Sequence, residues 1–279
     1  MAVLSPTQAA PLLRSAHEEG RLIPFLGAGF SMPLNLPSWR ELVGWMADEL
    51  GFEHDLFEVH GRNEQLAEFF GLNPKNLKNL IYQMTRRFDS AEAEKKRRSS
   101  PTHQALAKLD WHTLYTTNYD CHLEGAIRDA GKAAVVLASF EDFQGPRHPN
   151  ACEVIKFHGT LEQPETIILT ESSYFQRMAL EAPPDQRLRS DLLSHSFLFI
   201  GYGFNDFNIR YIWYRMHQLR LQSQARHGSS TSMGRRCFFA THGAGPVQPE
   251  ILAQWGIDVI QLDPTDKTAS VAELLQLIG

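Results

Sequence analysis

Leu22-Ile23-Pro24-Phe25-Leu26-Gly27-Ala28-Gly29-Phe30-Ser31 is the stretch whose reading decides the fold. Its first five residues are apolar and few, which suits a parallel strand buried on both faces. The next five form a small-residue turn. Ser38 can then cap a helix over 38–50, in which Leu42, Val43, Trp45, Met46 and Leu50 recur at helical spacing. A strand running into a glycine turn is how doubly wound α/β folds bring backbone N–H groups up to a pyrophosphate, because a Cβ there would hold the phosphate away. Gly-Ala-Gly is shorter than the six-residue dinucleotide fingerprint. A tight turn with no ligand is an equal alternative from this stretch alone, so the rest of the chain has to decide.

Outward from this stretch, the spacing predicts an opening helix at 6–20, with Ser5 as cap, Pro6 at its first position and Gly20 ending it. Residues 62–100 read as helical, with one piece from Glu64 to Phe70 and another from Pro74 to Phe88, followed by a basic loop from Lys95 to Ser100. This block reads as an insertion covering the crevice beyond the first strand. A short helix at 101–109 follows. Strands are then expected at 112–117, 134–137, 153–157, 196–200, 236–240 and 257–262, with a brief extended piece at 166–169. Helices are expected at 121–130, 171–180, 184–195, 206–222, 248–255 and 268–278, and a Gly/Ser-rich loop runs from His227 to Gly234. Strands alternating with helices predict an α/β, Rossmann-like, doubly wound and mainly parallel sheet. The expected organisation is one domain over 1–279, its core in 1–37 and 101–279 and a helical region at 38–100.

Bulk properties narrow the function classes. The net charge is −5, which argues against a chain that binds nucleic acid through its overall field. The basic run Arg86, Arg87 and Lys95-Lys96-Arg97-Arg98 reads as a solvated helix end and loop. Three cysteines, Cys121, Cys152 and Cys237, lie far apart with no Cys-x-x-Cys pair, so a ribbon-type zinc site is not expected and a reducing cytoplasm is. Met1 to Gln8 lacks a basic segment followed by an apolar run, so no signal peptide is expected, and no apolar run approaches the ~18 residues of a membrane span.

Polar residues cluster at the strand ends. Ser31, Asn118, Asp120, His158, Asn205 and Asp206 all fall just after the last apolar residue of a predicted strand, where open parallel sheets bind their ligands. Each has a plainer alternative. Asp120 can cap the helix that follows it, as can Asn205 or Asp206, because Asn and Asp are favoured at caps and turns. His158 can be a hydrogen-bonded structural residue or, with its near-neutral pKa, a general base. Phe69, Phe70 and Leu72 are expected in a core, with an oligomer interface as the alternative.

Together, Gly27-Ala28-Gly29-Phe30-Ser31, Thr117-Asn118-Tyr119-Asp120, His158-Gly159 and Gly201-Tyr202-Gly203 resemble the sirtuin-type family in order and spacing over about residues 20 to 263. The Phe30-Ser31 and Gly201-Tyr202-Gly203-Phe204-Asn205-Asp206 variants resemble the sirtuin-like domains of bacterial antiphage-defence proteins. The resemblance implies NAD⁺ as substrate, cleaved at the nicotinamide–ribose bond, with Asn118, Asp120 and His158 catalytic. It implies Gly27, Ala28, Gly29 and Ser31 around the phosphates, Gly201 and Gly203 on the adenosine side, and Thr117, Asn205, Thr241 and Asp263 as further nucleotide contacts. The family's deacetylases carry a four-cysteine zinc domain, which this chain cannot build, and a Gln where this chain has Thr117. Water is therefore the expected acceptor, giving ADP-ribose and nicotinamide without a metal, in a homo-oligomer held off until a trigger or partner, a HerA-type ATPase or an Argonaute-like protein, arrives. A zinc-free deacylase or ADP-ribosyltransferase and a non-catalytic NAD⁺ or ADP-ribose sensor are the alternatives.

Overall fold

A computed structural model describes residues 3–146, 148–179, 181–203, 210–215, 217–218, 221 and 237–279. Seven strands form one sheet with every neighbouring pair parallel: β1 (Leu22–Leu26), β2 (Thr113–Thr116), β3 (Ala133–Leu137), β4 (Ala151–Lys156), β5 (Ser196–Ile200), β6 (Cys237–Thr241) and β7 (Ile257–Gln261). The order is β3-β4-β2-β1-β5-β6-β7, so the chain winds outward from β1 in both directions. That reversal beside β1 is the switch point at which such sheets open a crevice. Pro24 lies within β1 but has no N–H to give its neighbour. Pairing of β1 with β2 is accordingly confined to Phe25↔Tyr115 and Leu26↔Thr116, whereas β1 pairs with β5 over all five residues.

Side-chain alternation in these strands feeds two cores. Leu22, Leu26, Leu114, Cys152, Val154, Leu198 and Ile200 face helices α1 (Pro6–Glu18), α7 (Pro101–Lys108), α8 (His122–Asp129) and α14 (Lys267–Gln276). Phe25, Tyr115, Ile155, Phe157, Phe197, Phe199 and Phe239 face α11 (Pro183–Ser194), α12 (described over 210–215) and α13 (Gln248–Gln254). A third core belongs to the helical region: α2 (Trp39–Leu50), α3 (His54–Glu58), α4 (Asn63–Gly71) and α5 (Pro74–Phe88) bury Leu42, Met46, Phe57, Phe70, Leu80 and Met84 around Tyr119, Leu161 and Leu169 from the loops beyond β2 and β4. The helical region thus packs on the carboxyl end of the sheet.

The expected elements recur with four differences. Lys95 to Ser100 is not a loop: Ala91–Ser99 is helix α6, capped by the Ser90 hydroxyl and laced by Glu92–Lys96 and Glu94–Arg98 pairs four residues apart. Arg97 is not solvated either; it is buried and bonds Asp129 at 2.7 Å. The piece at 166–169 is a 3₁₀ turn at Pro164–Thr166 followed by irregular chain. Phe70 is buried as expected, but Phe69 and Leu72 are exposed on α4. Helices α3 and α9 (Phe140–Gln144) were not foreseen; five residues are too few to show a period. The start of the expected 206–222 helix and the 227–234 loop lie outside the described residues. Among the described residues no helix is long and apolar enough to cross a membrane, and no three His, Cys, Asp or Glu side chains group as a metal site.

Candidate functional site

The two glycine turns dock on each other. Gly27 N–H donates to the Ile200 carbonyl at 2.9 Å, and Gly29 N–H donates to the Gly201 carbonyl at 2.9 Å. Gly201 has φ +83°, the left-handed region that favours glycine, and a Cβ there would stand 2.5 Å from Phe30 N. A Cβ on Gly27 would stand 2.7 Å from both the Gly201 oxygen and the Tyr202 ring. The three glycines are therefore required by backbone-on-backbone packing, whatever ligand follows. Phe30 and Ser31 N–H close back onto Gly27 and Ala28 carbonyls. Of the turn's five amides, that of Ala28, on an exposed residue, has no backbone acceptor among the described residues. Of Gly27, Ala28, Gly29 and Ser31, expected around the phosphates, only Ala28 keeps an amide without a backbone acceptor among the described residues.

The segment after β2 is tied into this interlock. Thr116 Oγ donates to the Leu26 carbonyl and accepts from Asn118 N–H, and Thr117 N–H donates to the same carbonyl. Tyr202 donates its hydroxyl proton to Leu26 as well, so Thr117 Oγ, 3.0 Å away, donates to Tyr202. Asn118, buried, donates from Nδ2 to the Gly27 carbonyl at 3.3 Å and to Ser31 Oγ at 3.0 Å. Ser31 passes its proton to Asp120 Oδ2 at 3.5 Å, and Asp120 Oδ1 accepts the His122 N–H at 3.0 Å. A carbonyl can only accept, so the amide nitrogen must face Gly27. That leaves Asn118 Oδ1 as an acceptor with no hydrogen-bond partner among the described residues. Asp120 is not the N-cap of α8, which is Cys121; its Oδ1 on the His122 N–H makes an Asx turn just ahead of the helix, and its Oδ2 closes the Asn118–Ser31 chain.

His158 arrives on the neighbouring strand. Thr116 pairs with Lys156 in register, so Asn118 and His158 both stand two residues beyond one rung, on strands roughly 4.8 Å apart. Gly159, at φ +86°, turns the chain so sharply that a Cβ would meet the Thr166 oxygen at 2.2 Å. The following loop folds back, with Ile168 N–H on the His158 carbonyl at 2.9 Å. The imidazole lies against the rings of Phe157 and Tyr174, with centroids 5.7 and 5.3 Å away. Burial, with the Arg177 guanidinium adding to it, pushes His158 down to about 3. It is a neutral acceptor across the physiological range. Arg177, on α10 (Glu171–Met178), lies over the Phe157 ring, donates to the Phe157 carbonyl at 2.8 Å and is paired with buried Asp185.

Other expected contacts stand apart. Gly203 is exposed beside the interlock, and Asn205 lies outside the described residues. Thr241 ends β6, two strands from β1, with its Oγ on Gly243 N–H at 3.4 Å. Asp263 is exposed and accepts the Thr265 N–H at 2.8 Å, which lowers its pKa. Neither joins the Gly27–Ser31–Asn118–Asp120 chain. Reading the sequence did not single out Tyr202, Arg177 or Lys156. Lys156 had a visible signal, since it interrupts the alternating row Cys152, Val154 that faces the core.

A family model described as the SIR2-like domain matches residues 112–260, more than half of the chain, from the start of β2 to the last residue but one of β7. The chain belongs to the SIR2-like family. It is 30% identical over 216 residues to the NAD(+) hydrolase ThsA of Bacillus cereus (strain MSX-D12), covering 77% of this chain and 43% of that protein. It is 32% identical over 210 residues to the protein of the same name from Acinetobacter baumannii (strain 532279), covering 75% and 42%. Defense-associated sirtuin 2 of Bacillus subtilis matches at 23% identity over 250 residues, covering 86% of this chain and 22% of that protein. This SIR2-like chain spans less than half the length of these relatives. Both the sheet end carrying Asn118, Asp120 and His158 and the Gly201 turn fall inside the matched segment, whereas the Gly27 turn that docks on them precedes it.

Proposed function

We propose that this SIR2-like chain hydrolyses NAD⁺ at the nicotinamide–ribose bond, releasing nicotinamide and ADP-ribose, as an NAD⁺-depleting effector in antiphage defence. The observation that carries the reading is the fixed orientation of Asn118. Its nitrogen is held on the Gly27 carbonyl and Ser31, which leaves Oδ1 free to orient a water or a ribose hydroxyl. His158, one strand away, is the candidate acceptor for the water's proton, and burial, which holds it at about 3, makes it a weaker base than a free imidazole. The reaction suits this equipment. The nicotinamide ring is cationic in the substrate, so the C–N electron pair leaves with the ring nitrogen and no acid is needed. Water attacks the ribose carbon as oxocarbenium character develops, and its proton passes to His158 and then to solvent. Asp120, linked to Asn118 through Ser31, supplies the carboxylate that stabilises that developing positive charge in this reading, and such fixed charges act strongly where water is excluded. Ala28 N–H, Ser31, Thr117 and the Gly201–Gly203 turn line the nucleotide side, with Asn205, Thr241 and Asp263 as outer contacts. The helical region at 38–100 covers the crevice within one domain. Assembly with further copies and with a protein partner that supplies the trigger belongs to the same reading, supported by the resemblance to defence proteins.

The test is direct. Purified protein, with and without candidate partners, is incubated with NAD⁺, and nicotinamide and ADP-ribose are followed. Release in equal amounts, lost in Asn118→Ala and in His158→Ala while both variants keep the wild-type melting temperature, supports the reading. Release that requires an acylated peptide points to a deacylase, and tight binding without turnover to a sensor. Unchanged hydrolysis in either variant overturns the assignment.

A further inference from the structure

Beneath the site lies an ion pair that the proposed chemistry does not use. Lys156 ends β4, and Glu124 lies in the first turn of α8; both side chains are fully buried, with Lys156 Nζ 2.9 Å from Glu124 Oε2. Lys156 continues the row Cys152, Val154 that faces the apolar core of β2, α7 and α8. The second oxygen of Glu124, Oε1, is buried without a hydrogen-bond partner among the described residues. Two charges here are poor value for stability. A buried pair rarely outperforms well-packed apolar residues of the same volume, and a half-satisfied polar network is worse still. Its other contact distinguishes it. Lys156 Nζ also donates to the main-chain carbonyl of Asp120, the residue that ends the Asn118–Ser31–Asp120 chain.

We infer that Lys156, held in place by Glu124, is a positioning residue whose ammonium clamps the Asp120 carbonyl and thereby fixes the 117–120 segment against the glycine interlock. The geometry explains why a charge is needed. The Asp120 carbonyl lies at the turn between β2 and α8, where neither strand nor helix supplies it a donor, and only a long side chain rising from the neighbouring strand reaches it. Glu124 orients that chain from one helical turn further on. The clamp leaves both carboxylate oxygens of Asp120 free for Ser31 and the His122 amide. An apolar pair would fill the volume and release the turn.

The activity arm of the test rests on the NAD⁺ reading; a second arm does not. Lys156→Met alone strands a buried carboxylate and can unfold the chain, so the informative variant is Lys156→Met combined with Glu124→Leu, which removes both charges and keeps the volume. The double variant is expected to melt within a few degrees of the wild-type temperature, the gain from removing the buried charges offsetting the Asp120 carbonyl left without its donor. Its kcat for NAD⁺ hydrolysis is expected to fall about 100-fold, the penalty typical of a misplacement near 1 Å, with KM moving far less. Hydrogen–deuterium exchange, read without substrate, is expected to quicken in peptides covering 117–123 while β1 and β4 keep their protection. Wild-type kcat together with unchanged local exchange overturns the inference. So does exchange that quickens equally across the sheet, which would make the pair an ordinary core element. Should the wild-type protein fail to hydrolyse NAD⁺, the functional reading falls, and the exchange arm still decides the clamp.

Discussion

Substituting Gly201 by alanine tests the interlock, and a matched control isolates it. Gly201 and Gly131 both sit in the left-handed region, at φ +83° and +78°. A Cβ on Gly131 meets nothing within 4 Å, so Gly131→Ala carries only the backbone penalty, about 1 kcal/mol. At Gly201 the same Cβ stands 2.5 Å from Phe30 N and 2.8 Å from the Gly27 oxygen, backbone atoms that no rotamer change can move. The two turns must separate, stretching the Gly29-to-Gly201 and Gly27-to-Ile200 hydrogen bonds. Overpacking of this kind adds roughly 1–3 kcal/mol and a weakened hydrogen bond about 1 more. Gly201→Ala is therefore expected to destabilise by about 3–5 kcal/mol, against about 1 for Gly131→Ala. Urea denaturation with equal m-values measures both. Equal losses at the two positions would show that the turns are not packed as described and that backbone conformation alone accounts for Gly201.

Three further expectations follow from named groups. Burial holds His158 at about 3 and His103 at about 4, both below the unfolded value near 6.5. Between those values the unfolded chain binds more protons than the folded one, so stability is full above pH 6.5 and falls as pH drops toward 4. Each histidine contributes up to about 2 kcal/mol of loss between pH 6.5 and 5, and urea titrations of His158→Gln and His103→Gln at the two pH values should show a correspondingly shallower fall. For the same reason kcat/KM for NAD⁺ should show no histidine limb near pH 6.5; a limb there in the wild-type profile would mean that the imidazole is solvated in the free enzyme. Arg97→Met should lower stability by about 2 kcal/mol, because the Arg97 guanidinium is buried against Asp129, whereas Arg98→Met, whose own side chain is exposed, should change it by less than about 0.5; equal effects in thermal melts would contradict the burial of Arg97.

What could be read in the sequence was what periodicity and punctuation encode. Each strand from β1 to β7 was visible as a short apolar or alternating run, and of the polar residues expected at the strand ends Ser31, Asn118 and Asp120 are joined by hydrogen bonds. Helix α6 escaped because it has no apolar face. Its helicity comes from the Ser90 cap and from charge pairs four residues apart, which read as a solvated run until Arg97 is seen to turn inward. Phe69 and Leu72 were misjudged because spacing shows which residues share a helix face but not what covers it. The roles of Lys156, Arg177 and Tyr202 were hidden for another reason: each acts on a carbonyl remote in sequence, and no local pattern announces such a partner.

Those remote contacts change what the glycine turn means. A reading from the motif alone gives its glycines to a phosphate. In the structure a Cβ at Gly27 or Gly201 collides with protein before any ligand is considered. The interlock fixes the Gly27 carbonyl, and that carbonyl dictates which end of the Asn118 amide faces inward. Side chains from three further elements hold main-chain carbonyls around the same point: Tyr202 that of Leu26, Arg177 that of Phe157 and Lys156 that of Asp120. Carbonyls at the ends of parallel strands otherwise lose their ladder partners, and buried ones must be satisfied. Here long side chains, two of them anchored by carboxylates, satisfy them and tie the loop ends to the sheet. The hydrolysis proposed here, which asks one amide oxygen and one imidazole to act on the same sugar, would need such anchoring, because neither group is reactive enough to tolerate misplacement.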